Sequence, residues 1–302
     1  MYVLLIILFT FLYGCSSEQE TTPQHMTQFP SPMIDIIRAH ERIENENIPG
    51  ISFILKNCIS KPIDVYFAYQ RHEFHQMDLL IHFHGLSYVP KYAVYHLNHP
   101  FILAVINIGS GSTVYENAFQ SKSTFPKLIE MISTAVSERK STEIRVSYIY
   151  LSSFSAGYGA VRAILKDHQS LLDGIVLLDG LHTDYVPAGR VLAQGGILND
   201  KKLRDFVQYA RLAIDNKKKL LITHSEIFPG TYASTTETAD FLINALDLQR
   251  YPVLKWGPMG MQLLSETRKN GLTILGFAGN SAPDHVDHFH GLPVFLKMII
   301  DK

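Results

Sequence analysis

The chain has 302 residues, of which 46% are hydrophobic and 18% are charged, and its formal net charge is −1. This balance is typical of a globular protein with a large apolar core. It gives no electrostatic reason to expect nucleic acid or an anionic surface as a partner.

The first fifteen residues predict a targeting signal. Residues 1–14 are almost entirely apolar, a run too short to span a bilayer but typical of the central region of a secretory signal. Leu12-Tyr13-Gly14-Cys15 resembles a bacterial lipobox, whose cysteine becomes the lipidated N-terminus. We therefore expect 1–15 to be a lipoprotein-type signal peptide and the protein to be anchored in the cell envelope through lipid on Cys15. A simple signal peptide and an uncleaved anchor are the alternatives.

The next stretch, 16–47, is expected to be a tether and N-terminal segment. Its first part, 16–32, is polar and contains prolines, which is typical of a flexible linker. The remaining residues, 48–302, are predicted to form one folded domain.

Short apolar runs alternate with amphipathic segments along that domain. This alternation predicts an α/β fold with a mostly parallel central sheet and helices on both faces. The expected strands are 50–55, 65–69, 78–83, 101–106, the run from 148, 174–179, 219–224 and 272–277. The expected helices lie within 115–140 and over 201–215, 235–248, 259–270 and 292–301. In such sheets the functional groups follow the carboxyl ends of the strands.

The run from Tyr148 ends in Ser153-Phe154-Ser155-Ala156-Gly157 and resumes with helical character. A strand that enters a helix through small-x-Ser-x-Gly resembles the nucleophile elbow of the α/β-hydrolase family. Ser153 stands where that family usually has its first glycine. The resemblance implies an α/β-hydrolase fold, with Ser155 as the nucleophile of a serine esterase or lipase-like enzyme.

The same resemblance implies an oxyanion hole, which is a pair of backbone N–H groups that bind the negatively charged oxygen of the intermediate. One donor would be Ala156, the residue after the nucleophile. The other would come from the loop after strand 78–83, which reads His84-Gly85-Leu86. The sequence leaves open whether Gly85 or Leu86 supplies it.

Two carboxylates and three histidines are candidates for the rest of a catalytic triad. Asp179 ends the strand after the elbow and is the favoured acid, while Glu226 follows the next strand and is the alternative. The family places its general base between the last strand and the last helix. That loop holds His285, which is favoured, together with His288 and His290. The order nucleophile, acid, base is the order of the family.

These features predict a serine hydrolase that cleaves an ester or related acyl bond through an acyl-enzyme, on a small-molecule or acylated substrate. A peptidase is also compatible with the pattern, and no cofactor or metal is expected. One alternative is a non-catalytic lipoprotein that binds a cell-envelope ligand with the same fold. Another is a metal hydrolase, with ligands drawn from His82 and His84 and the three histidines of the last loop.

Overall fold

The computed structural model describes residues 40–68 and 74–300. In this part of the chain the strands are β1 (Ile51–Leu55), β2 (Ile63–Phe67), β3 (Gln76–Phe83), β4 (Phe101–Ile106), β5 (Arg145–Phe154), β6 (Gly174–Leu178), β7 (Tyr185–Val186), β8 (Ile197–Leu198), β9 (Lys219–His224), β10 (Tyr251–Trp256), β11 (Gln262–Lys269) and β12 (Leu272–Phe277). The helices are α1 (Tyr88–His96), α2 (Ser112–Ala118), α3 (Thr124–Lys140), α4 (Tyr158–His168), α5 (Arg204–Ile214), α6 (Thr235–Ala245), α7 (Ala282–His290) and α8 (Leu292–Ile300).

Ten of these strands form one twisted sheet, in the order β1-β2-β4-β3-β5-β6-β9-β12-β11-β10. The six central strands, from β4 to β12, run parallel to one another. The outer strands pair antiparallel on both sides. The predicted fold class, a mostly parallel α/β sheet, is confirmed. β7 and β8 form a separate two-stranded hairpin.

The central strands are buried on both faces, which explains their continuous apolar sequences. Along β3, Leu79, Ile81 and Phe83 point into one hydrophobic core and Leu80 points into the other. The first core is completed by α3, α4, α5 and α6, and the second by α1 and α8. Helices therefore cover both faces, and the carboxyl ends of the parallel strands open along one edge.

The helix predicted over 259–270 is wrong, because this stretch contains strand β11, which pairs antiparallel with β12. Leu263, Ser265 and Thr267 are buried while the residues between them are partly exposed. This alternation of every second residue is typical of a strand with one covered face. Asn270, with φ +51°, and Gly271 make the turn into β12. A Cβ on Gly271 would lie 2.2 Å from the carbonyl oxygen of Lys218. The glycine thus ends a strand of a hairpin and not a helix.

The beginning of the described chain packs on helix α7. The His40 Nδ1 atom lies 2.8 Å from Oδ2 of the buried Asp287, and Arg42 donates to the other oxygen of the same carboxylate. The Ile43 N–H donates to Nδ1 of His290 over 2.9 Å. Residues 40–43, at the end of the predicted N-terminal segment, are therefore tied to the last loop of the domain.

The predicted signal peptide, Cys15 and most of the tether lie outside the described residues. Lipidation and location in the cell envelope therefore stay predictions. Among the residues that the structure describes, every helix is too short or too polar to cross a bilayer.

Two histidines inside the sheet make stability depend on pH. His82 lies in β3, with Nδ1 2.8 Å from Oγ of Ser152, and His224 ends β9, with Nδ1 2.8 Å from Oγ1 of Thr236. Burial lowers the pKa of each to about 3. In the unfolded chain a histidine binds its proton near pH 6.5, so the unfolded state takes up protons first as the pH falls.

We expect the free energy of unfolding to fall as the pH drops below about 6.5, by about 1.4 kcal/mol per pH unit for each of these two histidines. Urea unfolding at pH 7.5, 6 and 5 measures the slope. The substitution His224→Gln should reduce the slope between pH 6 and 5 by about 1.4 kcal/mol per pH unit, because one protonating group is removed. A stability that is constant from pH 7.5 to 5 would contradict this prediction.

Candidate active site

Ser155 lies in a sharp turn between β5 and α4. Its backbone is in the left-handed region, with φ +47°, and Ser155–Gly157 form a single 3-10 turn. A Cβ on Gly157 would lie 2.2 Å from the carbonyl oxygen of Phe83, so the turn needs glycine there. At Ser153 the chain accommodates a side chain, which is fully buried. The turn has the features of a nucleophile elbow, because it holds a serine in a strained conformation between a strand and a helix.

Asp179 directly follows β6 and is 1% exposed. One carboxylate oxygen accepts hydrogen bonds from the Ser225 N–H, over 2.9 Å, and the Thr235 hydroxyl, over 2.6 Å. The other accepts from the Ser225 hydroxyl over 2.8 Å and lies 2.7 Å from Nδ1 of His285. Burial alone would raise the pKa of Asp179, but the positive potential of His288 and the bonds from His285 and Thr235 lower the pKa well below its usual range. The carboxylate is therefore ionised and held at both oxygens.

His285 lies in the first turn of α7. A capping box fixes the start of this helix, because the Ser281 hydroxyl accepts from the Asp284 N–H and the Asp284 carboxylate accepts from the Ser281 N–H. The imidazole packs against Phe154, with ring centroids 4.5 Å apart. An ionised carboxylate can only accept, so His285 Nδ1 carries the hydrogen in the bond to Asp179. In the neutral ring, Nε2 then holds a lone pair, as a general base requires.

Ser155, Asp179 and His285 line the same cavity, which has a volume of about 290 Å³. Its other walls include Ser225, Ile227, Pro229, Tyr232, Thr235 and Ala282. A second cavity of about 350 Å³ also reaches Ser155, and it is bounded by Ala156 and by the start of α2. His182 and Tyr232 line both cavities. The two cavities thus flank the serine.

The alternative acid and bases make other contacts near the site. The Glu226 carboxylate is exposed and accepts from the backbone N–H of Gly279 at 3.3 Å. His288 is fully buried, with Nδ1 2.7 Å from Oγ1 of Thr223, and His290 accepts from the backbone of Ile43. The structure brings Asp179 and His285 together. Glu226, His288 and His290 are hydrogen-bonded to other groups.

The loop after β3 bears on the open choice between Gly85 and Leu86 as the second oxyanion donor. The Gly85 N–H donates to Oδ1 of Asn107 over 2.9 Å, and the Gly85 carbonyl accepts from Nδ2 of the same side chain over 2.8 Å. Gly85 is therefore not available as an oxyanion donor. Leu86, which is exposed, remains the candidate on this loop, and Ala156 lines the second cavity beside Ser155.

The histidines proposed as metal ligands are engaged in other ways. His82 Nε2 lies 2.9 Å from the carbonyl oxygen of His84, and His84 Nδ1 lies 3.0 Å from the Tyr115 hydroxyl. Among the described residues, the potential ligand atoms that cluster within 4.8 Å belong to His40, Asp284 and Asp287. Asp287 is bonded to Arg42, and Asp284 caps the start of α7 through Ser281. The five histidines of the metal hypothesis therefore do not form a ligand set in the described chain.

Sequence reasoning missed four residues that shape the site: Asn107, His182, Ser225 and Thr235. Ser225 follows β9 and Asn107 follows β4, so the rule that functional groups follow strand ends could have found both. Thr235 was expected only as a residue at the start of a helix. Its bond to Asp179 depends on a sequence separation of 56 residues, which no local pattern reveals.

No family model matches the chain, and no curated protein matches its sequence. Solved structures similar to it include a thermostable esterase, with 13% identity, a TM-score of 0.48 and coverage of 83% of this chain and 61% of that one. An S-formylglutathione hydrolase from Staphylococcus aureus has 12% identity and a TM-score of 0.45, over 86% of this chain and all of that one. A feruloyl esterase module from Clostridium thermocellum has 12% identity and a TM-score of 0.46, over 85% and 93%. The match to the thermostable esterase covers about three-fifths of that protein's length.

The positive φ of Ser155 leads to a stability prediction. A left-handed conformation costs an L-residue about 1–2 kcal/mol, and glycine does not incur that cost. We therefore expect Ser155→Gly to be more stable than Ser155→Ala by about 1 kcal/mol, the reverse of the usual order in a helix. Chemical denaturation of both variants measures the difference. An alanine variant that is the more stable of the two would show that the turn is unstrained.

Proposed function

We propose that this chain is a serine hydrolase that cleaves an ester or related acyl bond, with Ser155 as nucleophile, His285 as general base and Asp179 as the acid. The observation that carries the proposal is the bond between His285 and Asp179 in a cavity that also contains Ser155. A serine on a strained turn, an imidazole and a buried carboxylate that fixes its tautomer are the parts that acyl transfer needs.

The proposed reaction begins when the Ser155 hydroxyl attacks the substrate carbonyl and gives its proton to Nε2 of His285. The ionised Asp179 stabilises the resulting imidazolium, because it already accepts a hydrogen bond from Nδ1. The N–H groups of Ala156 and Leu86 would bind the developing oxyanion. His285 then returns the proton to the leaving alcohol, which departs and leaves an acyl-serine.

Hydrolysis of the acyl-serine reverses these roles. A water molecule gives one proton to His285 and attacks the acyl carbon, and the second tetrahedral intermediate collapses as His285 protonates Ser155. The carboxylic acid is released and the free serine is restored. Every proton passes through His285, and Asp179 stays ionised throughout, consistent with its lowered pKa.

We expect a fluorophosphonate reagent to label the wild-type protein on the peptide that contains Ser155, and we expect Ser155→Ala to abolish both labelling and hydrolysis of a p-nitrophenyl acyl ester. Intact-mass spectrometry and peptide mapping measure the labelling. Ser153→Ala is the matched control, because it removes a fully buried hydroxyl two residues away and should retain labelling. A wild-type protein that is neither labelled nor active would favour the non-catalytic binding protein.

The acid and the base can be distinguished from their alternatives by substitution. We expect Asp179→Asn to lower kcat by about 10³–10⁴-fold, since the imidazole would lose the partner that sets its tautomer, and His285→Ala to lower it at least as much. Glu226→Gln should keep kcat within about threefold, because its carboxylate bonds to the backbone of Gly279. If Glu226→Gln lost most of its kcat while Asp179→Asn stayed active, Glu226 and not Asp179 would be the acid.

A further inference from the structure

His182 presents a hydrogen-bond acceptor beside Ser155. Its Nδ1 atom lies 2.8 Å from the carbonyl oxygen of Ala233, and a carbonyl only accepts, so Nδ1 carries the hydrogen. The rings of Tyr158 and Tyr232 pack edge-on against the imidazole, with centroids 5.8 Å and 4.9 Å away. Burial, with a smaller effect from His285, lowers the pKa of His182, so the ring is neutral near pH 7. Nε2 is therefore a lone-pair acceptor on a fixed ring.

The second cavity beside this acceptor is lined largely by hydroxyl side chains, and the first contains the buried carboxylate of Asp179 together with apolar side chains such as Ile227 and Pro229. The second cavity is bordered by the small hydroxyl side chains Ser110, Ser112 and Thr113. Its carboxylate, Asp184, is paired with Lys202 at 2.6 Å. His182 lines both cavities, and in the described chain no side-chain or backbone donor bonds to its Nε2 atom. A neutral acceptor among hydroxyl groups matches a neutral, hydroxylated ligand better than an anion or a long alkyl chain.

We propose that His182 is a specificity residue whose Nε2 atom accepts a hydrogen bond from a hydroxyl group next to the scissile ester, so that the preferred substrates are neutral esters with a free neighbouring hydroxyl. This inference rests on the proposed function of Ser155. The hydroxyl can belong to either half of the substrate, as in an ester of a 2-hydroxy acid or a monoacylated polyol. Both have the same donor close to the carbonyl, and His182 borders the space on both sides of the serine.

Two pairs of test esters separate these sources. Methyl glycolate and methyl methoxyacetate carry the oxygen on the acyl side, and 2-hydroxyethyl acetate and 2-methoxyethyl acetate carry it on the alcohol side. Within each pair the inductive effect on the carbonyl is similar, and the methoxy compound lacks the O–H donor. We expect wild-type kcat/KM to be about tenfold higher for the hydroxyl compound in at least one pair, the effect of one hydrogen bond.

The variants test whether His182 is responsible. His182→Asn keeps an amide N–H for the Ala233 carbonyl, but its shorter side chain cannot place an acceptor at the position of Nε2. The preference should therefore fall to within about twofold. His182→Gln places an acceptor near the position of Nε2 and should retain part of the preference, even if the asparagine variant folds poorly. His168→Asn is the control, because His168 also bonds to a backbone carbonyl, that of Lys122 at 2.8 Å, but lies outside both cavities. It should keep the wild-type preference.

Fluorophosphonate labelling separates failure of this inference from failure of the proposed function. A wild-type protein that is labelled on Ser155 but shows no hydroxyl preference in either pair overturns the role of His182 alone. The same holds if His182→Asn keeps the full preference. A protein that is neither labelled nor active on any of the four esters overturns both proposals.

Discussion

The buried carboxylate of Asp179 is the constraint on which the candidate site depends. An ionised group with almost no exposure is costly unless its oxygens are fully hydrogen-bonded. Its donors come from three separate parts of the chain: Ser225 after β9, Thr235 at the start of α6 and His285 in α7. Satisfying one charge therefore brings together the ends of a strand and two helices. The imidazole is oriented by the same bonds that make the buried charge tolerable, so the structural and chemical roles of Asp179 cannot be separated.

Backbone crowding complements this charge. Ser155 and Asp179 end neighbouring parallel strands, and both have positive φ, at +47° and +42°. The residue after Asp179 has to be glycine, since a Cβ on Gly180 would lie 2.4 Å from the Ser155 carbonyl oxygen. Conformations of this kind cost about 1–3 kcal/mol each and persist only where the surroundings enforce them. Because β5 and β6 pair in parallel and end side by side, the serine and the carboxylate that follow them lie at the same edge of the sheet.

The sequence predicted those parts of the molecule that depend on local pattern. Strands buried on both faces have continuous apolar runs, so the bounds of β9 and β12 were predicted as observed. Ser155 was proposed from the resemblance to a nucleophile elbow and Asp179 from its place after a strand, and their catalytic roles stay predictions. The helix expected over 259–270 was wrong because one stretch of apolar residues fits either period, and only the partner strand decides between them. The resemblance left open whether Gly85 or Leu86 is the donor on the loop after β3. The Asn107 side chain that occupies the Gly85 N–H comes from 22 residues away.

The position of His285 also depends on the start of the described chain. Helix α7 has nine residues, too few to be stable alone, so its orientation must come from tertiary contacts. Its first turn is held by the Ser281 cap and by Asp179. Its last turns are held through Asp287 and His290, by bonds from residues 40–43. Residues 40–43 were predicted only as part of the tether and N-terminal segment, because their bonds to α7 cross about 245 residues of sequence and leave no local pattern. The helix that carries the proposed base is thus bonded to Asp179 at the sheet edge through its first turn and to residues 40–43 through its last turns, and its His285 side chain lines the same cavity as Ser155.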